Sequence, residues 1–201
     1  VNIGISAVVE TDICNPGWVD ACNKMDAVIV PSEHARKCLE RSGDLSVDVH
    51  VIPEWFFKEI LDSRDDNFLE TLDIETSFNF LIISQLTDQS PELDRKNLLY
   101  TIKWICEEFK DDPDVGILLK TNHGRGTHID RMLTSNIVRK VISEVRPGPF
   151  PKLHLIHGNL TPGEISSLYK EDSVKCLVNL TRGEGFGLPI LEAAASDLPV
   201  I

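Results

Sequence analysis

The chain has 201 residues, 42% of them hydrophobic and 26% charged, and a formal net charge of −12. That length can bury one large domain, or one domain and part of another. The acidic balance argues against a nucleic-acid binder, which needs a basic face, and against adhesion to an anionic membrane surface.

Residues 3–9, IGISAVV, are a continuous apolar run, the pattern of a buried parallel strand. Glu10-Thr11-Asp12 is a polar turn, and Pro16-Gly17-Trp18 opens a short helix over 19–24. Residues 26–30, DAVIV, are a second buried strand. Ser32 is a good N-cap and Glu33 suits a first turn, so a helix is expected over 34–41, stopped by Ser42-Gly43. Residues 47–52 read as a third strand, ended by Pro53. Strand, helix, strand, helix, strand is an α/β order. Residues 54–77 carry mixed charge and weak periodicity, as a connector does.

A second unit starts at Phe78. FNFLIIS is a buried strand, residues 86–95 are a long polar loop, and a helix over 97–110 carries Leu98, Ile102, Ile105 and Phe109 at helical spacing. Strands are expected over 115–120, 153–157 and 173–180, with helices over 129–145, from Pro162, and over 188–196. Pro147-Gly148-Pro149 breaks the first of these helices; Thr161 and Glu164 form a capping-box pattern at the second. The final residues, LPVI, are strand-like. The reading is two Rossmann-like units with doubly wound parallel sheets, the first incomplete: 1–77 ending one domain with its connector, and 78–201 a ligand-binding domain. Without an initial Met, a signal peptide or a cap after LPVI, the chain is expected to be truncated at both ends.

Five cysteines, at 14, 22, 38, 106 and 176, are widely spaced with no CxxC pair, as reduced thiols of a cytoplasmic protein would be. No clustered set suggests zinc. No apolar run approaches the roughly 20 residues of a membrane span.

Chemistry concentrates in Thr181-Arg-Gly-Glu-Gly-Phe-Gly-Leu-Pro-Ile-Leu-Glu192. A strand ends, Gly183, Gly185 and Gly187 let the backbone approach a ligand, and a helix N-terminus offers free amides to an anion. Glu184 in the loop and Glu192 in the helix can each accept bonds from paired sugar hydroxyls. A hydrolase acid and base is a rival reading, opposed by the phosphate-type loop between the two carboxylates.

The EGFGLPILE run resembles the two-glutamate signature of glycosyltransferase family four, the retaining group 1 enzymes of GT-B fold. The following Ala193-Ala-Ala-Ser-Asp-Leu-Pro-Val-Ile201 is similar as well, as are DAVIVPS (26–32), Glu10-Thr11 with Trp18, and Arg95-Lys96-Asn97. The resemblance implies that Glu184 contacts the donor sugar and Glu192 the ribose. It assigns Gly185, Phe186, Gly187 and Leu188 to the loop that meets sugar and diphosphate, and Lys96 to neutralising the leaving diphosphate, which develops negative charge. Glu184 and Lys96 are thus the catalytic candidates. An arginine is usual just after the first donor-domain strand; here Ser84-Gln85 stands there, and Gln85 carries no charge. Arg95 and Lys120 are the candidate substitutes. The nucleobase is expected beside His157-Gly158-Asn159.

The implied activity is transfer of a sugar from a nucleotide-diphosphate sugar to a saccharide or lipid-linked saccharide acceptor, with retention, without metal or cofactor; this chain alone is expected to bind donor weakly and to turn over little, because the cleft needs both domains. No nucleic-acid partner is expected, and membrane contact only through regions outside this chain. The rivals are a non-catalytic nucleotide-sugar-binding module, motivated by Gln85, and a related GT-B enzyme such as an epimerase or a glycogen or starch synthase. His123 and His128 read as solvated loop residues, His154 as core, and Trp18, Trp55 and Trp104 as packing residues.

Overall fold

Two parallel sheets organise the chain, in a computed structural model that describes residues 1–8, 11–145 and 148–201. Val9 and Glu10, read as strand end and turn, and Pro147, read as a helix breaker, lie outside the described residues. The chain divides into two compact units: Val1–Trp55 with Gly183–Leu188, and Phe56–Arg182 with Pro189–Ile201.

In the first unit, β1 (Ile3–Ile5), β2 (Ala27–Val30) and β3 (Val49–Val51) pair in parallel in the order β1-β2-β3. Helix α1 (Pro16–Cys22) begins three residues before the expected start, because Asn15 caps it: its side chain accepts from Gly17 N at 2.9 Å, and Pro16 occupies the first turn. Ser32 caps α2 (Glu33–Ser42) by accepting from Ala35 N at 3.1 Å. Val19, Val28, Val30, Ala35 and Leu39 form the core between these helices and the sheet.

In the second unit the connector-like segment is built into the fold. It holds two short helices, α3 (Glu59–Asp62) and α4 (Asp66–Glu70). They are followed by β4 (Phe78–Ile83), α5 (Leu98–Glu108), β5 (Val115–Thr121), α6 (His128–Val145), β6 (Lys152–His157), α7 (Pro162–Tyr169), β7 (Val174–Leu177) and α8 (Leu188–Ala195). Helices α3 and α4 pack on α7: the Ser166 hydroxyl meets the Ile60 and Ser63 carbonyls at 2.8 and 2.7 Å, and Lys170 Nζ donates to Leu61 O at 2.7 Å. Those polar bonds tie a segment that has little hydrophobic periodicity of its own.

The sheet order is β6-β5-β4-β7, all parallel. The strands are apolar on both faces because helices cover both. Phe80, Ile82, Ile117 and Leu119 face one core with α5 and α6; Leu81, Leu118 and Ile156 face the other with α7 and α8. The LPVI segment lies alongside β7: Leu177 N donates to Pro199 O at 2.8 Å and Ile201 N to Leu177 O at 2.9 Å, although only Leu177 and Val200 register as a bridge. The chain therefore winds outward from β4 to β6, then crosses back to β7. The reversal falls between β4 and β7, and ligands of open α/β sheets bind outside the carboxyl ends of the strands at such a point.

Gly116 in β5 has a packing reason. A Cβ there would overlap Asn79 Oδ1 and Thr76 Oγ1, which belong to a fully buried hydrogen-bonded pair. Gly116→Ala is expected to destabilise by about 1–3 kcal/mol, read as a lower denaturant midpoint with unchanged slope.

Candidate functional site

The loops that leave β4 and β7 at the reversal point are fastened to each other. In the β4–α5 loop Asp94 is fully buried. Its Oδ1 accepts from the Thr87 hydroxyl at 2.5 Å, from Thr87 N at 3.2 Å and from Lys96 N at 3.2 Å, and its Oδ2 accepts from Leu98 N at 2.7 Å. One carboxylate thus caps α5 and folds the loop that carries Arg95 and Lys96. Asn97 takes a left-handed conformation (φ 54°) to turn into α5, and its side-chain amide donates to Leu180 O at 3.0 Å. From the β7 side, the Thr181 hydroxyl and the Arg182 amide both donate to Arg95 O, at 3.2 and 3.0 Å. The Arg182 guanidinium donates to the carbonyls of Pro91 (3.0 Å), Asp94 (3.2 Å) and Glu92, and to Asn97 Oδ1 (3.3 Å). Arg95 and Lys96 are half-buried cations on a loop tied by these bonds.

Lys120 lies on β5, the strand beside β4. It ends β5 but one, in register with Ile83, and its carbonyl accepts from Ser84 N at 3.1 Å. Burial holds its ammonium below the usual lysine range, and among the described residues no carboxylate or hydrogen-bond acceptor pairs with it. A half-buried cation without a counter-ion attracts an anion. Gln85, immediately beyond β4, is exposed.

At the ends of β5 and β6 the register partners Thr121 and His157 each hold an unpaired polar atom. Thr121 Oγ1, Asn122 Oδ1 and His157 Nδ1 are buried without a hydrogen-bond partner among the described residues. His157 Nε2 lies 3.3 Å from the Thr134 hydroxyl, and burial pushes the imidazole toward its neutral form. Gly158 turns with φ 114° and its amide donates to Thr121 O at 3.1 Å. The Asn122 amide donates to Asn159 Oδ1 at 2.8 Å. Buried, unpaired polar atoms are costly unless a ligand satisfies them.

Glu192, on α8, accepts a 2.8 Å hydrogen bond at Oε2 from the buried Tyr169 hydroxyl at the end of α7. Burial pushes the Glu192 carboxyl up, and the Tyr169 bond pulls it part of the way back. A group raised in the folded state is stabilising below its unfolded pKa, and that contribution is lost as pH rises through the folded value. Tyr169→Phe removes the bond that favours the charged form. The loss of stability with rising pH is then expected to move to higher pH, checked by thermal unfolding from about pH 4 to about pH 8 beside Glu192→Gln, in which this dependence disappears.

The structure thus gathers Gln85, Arg95, Lys96, Lys120, His157, Gly158 and Glu192 in the second unit. Glu184, Gly185, Phe186, Gly187 and Leu188 carry the loop from β7 into α8, and residues 183–188 group with the first unit. There a Cβ on Gly185 would stand 3.0 Å from Ala7 Cβ, and Gly187 has φ 85°, a conformation that favours glycine. Sequence reasoning did not single out Asp94, Tyr169 or Arg182 for the site. Their partners stand too far along the chain to show as a motif, save the short spacing of Asp94 ahead of Leu98, which has the form of a cap. Among the described residues no group of three His, Cys, Asp or Glu side chains could hold a metal ion, and no helix is long and apolar enough to cross a membrane.

No protein-family model matches the chain, and no curated protein does. Solved structures are similar to it. HepE of Anabaena, solved with UDP and glucose, is 16% identical with a TM-score of 0.69, over 98% of this chain and 51% of its own. The trehalose-6-phosphate synthase OtsA is 12% identical with a TM-score of 0.66, over 98% of this chain and 50% of its own. Sucrose-phosphate synthase from Thermosynechococcus elongatus is 16% identical with a TM-score of 0.63, over 91% of this chain and 42% of its own. These likenesses show the fold alone, a Rossmann-like α/β fold of GT-B type. The chain spans about half the length of the solved structures it matches.

Proposed function

We propose that this chain is the nucleotide-sugar-binding part of a retaining glycosyltransferase of the family-four kind. Residues 1–77 would be the end of the acceptor domain with its connector, and 78–201 the donor domain. The observation that carries the reading is a set of cations at the carboxyl ends of neighbouring elements: Arg95 and Lys96 on the pinned loop after β4, and Lys120, unpaired among the described residues, near the end of β5. A diphosphate fits that charge, the Glu192 carboxylate fits a ribose diol, and the unpaired atoms of Thr121, Asn122 and His157 fit a nucleobase. The solved neighbours agree, since HepE was solved with UDP and glucose.

In the proposed reaction the bond from the anomeric carbon to the diphosphate oxygen breaks. The electron pair leaves with the nucleoside diphosphate, and Lys96 with Arg95 and Lys120 stabilises the growing charge. The acceptor hydroxyl oxygen bonds to the same carbon on the face being vacated, and its proton passes to the departing phosphate. The resemblance assigns contact with the transferred sugar to Glu184. With three cations to neutralise the diphosphate, the step needs no metal.

Gln85, exposed and uncharged where a basic residue is usual, favours one alternative: a module that binds nucleotide sugars without turnover. Release of free nucleoside diphosphate from UDP-, GDP- and ADP-sugars by the protein carrying its acceptor half, with saccharide acceptors and with chelator present, separates the two. Chelator-resistant release giving a product of retained configuration supports the transferase. Binding without release supports the module, and an inverted product contradicts the retaining assignment.

A further inference from the structure

We propose that Arg182 is a positioning residue for the diphosphate site, acting through the 91–97 loop and not by touching ligand; this rests on the reading of Arg95 and Lys96 given above. Four observations point to it. Arg182 follows β7, on the far side of the reversal point from the loop it holds. Its two terminal guanidinium nitrogens are occupied by four acceptors in that loop, the carbonyls of Pro91, Glu92 and Asp94 and the side-chain oxygen of Asn97. Its own amide donates to the carbonyl of Arg95, the residue next to Lys96. The neighbouring Thr181 hydroxyl and Asn97 amide close the same seam, on Arg95 O and Leu180 O. A planar, fixed fork can span several carbonyls at once, which a lysine's point charge cannot. Its partners stand 85 to 91 residues away in the chain, so the seam is a tertiary device that fixes where the cations stand. Preorganised charge is worth more to a developing anion than charge that must first be gathered.

A merely structural arginine would lower all binding together. A positioning arginine lowers only the part of the affinity that the diphosphate contributes. The test is the ratio of dissociation constants of nucleoside and nucleoside diphosphate, measured with uridine and UDP, guanosine and GDP, and adenosine and ADP. It is made on the wild-type chain, on Arg182→Gln and on the milder Arg182→Lys. For the base that binds, the ratio is expected to fall about tenfold or more in Arg182→Gln and by less in Arg182→Lys, with nucleoside affinity unchanged. In a Lys96→Ala background, Arg182→Gln is expected to change the ratio little further, because the two act as one unit. A ratio kept in both variants overturns the proposal, as does a parallel loss of nucleoside and diphosphate binding. A wild-type ratio near one overturns the diphosphate reading itself, and that outcome is visible without any variant.

Discussion

In the proposed transferase, assayed with its acceptor half, Lys96→Ala is expected to slow sugar transfer by about 10²–10³-fold, the usual cost of removing one preorganised group from a developing oxyanion. Three features make the effect large. The residue stands at the sheet's reversal point, where α/β sheets take their ligands. Its backbone is fixed, since its amide donates to the buried Asp94 carboxylate. In the proposed reaction the charge it meets grows as the bond to the anomeric carbon breaks, so the loss is expected to fall on kcat with the KM for donor changing less. Single-turnover kinetics on the wild type and the variant measure this directly. Equal losses in ground-state binding and turnover would show that Lys96 only recruits the donor.

Asp94→Ala is expected to destabilise the fold by about 2–4 kcal/mol. The carboxylate is fully buried and meets four donors, three of them backbone amides. Alanine leaves those amides without their acceptor and uncaps α5. Asp94→Asn keeps an acceptor for Leu98 N and is expected to lose about half as much. Denaturant unfolding checks both. A loss under about 0.5 kcal/mol in Asp94→Ala would mean that water replaces the carboxylate freely.

The fold was legible wherever one stretch of chain carries its own reason. FNFLIIS and VGILLK are apolar without alternation because helices cover both faces of their sheet, and they became β4 and β5. Thr161 and Glu164 announced the capping box that starts α7. Residues 54–77 were less legible: α3 and α4 are short and held by bonds to Ser166, Ser167 and Lys170 about 100 residues on, which no local pattern records. The site divides the same way. The glycine-rich run and Arg95-Lys96-Asn97 stand out in the sequence, because a loop that meets a ligand needs glycine or charge at fixed places. The Tyr169 bond to Glu192 and the Arg182 seam do not, because they join residues from different strand–helix units. Lys120 is a candidate in the sequence by its place at a strand end; its burial without a partner among the described residues shows only in the structure.

Binding of a nucleoside diphosphate at the β4–β7 reversal is tested most directly by calorimetric titration of the chain with UDP, GDP and ADP, beside Glu192→Ala. The expected result is that one of the three binds, and that Glu192→Ala weakens it by about tenfold or more, the worth of a charged hydrogen-bond acceptor on a ribose diol. Binding of none of them at about 1 mM, or equal binding by Glu192→Ala, would contradict it.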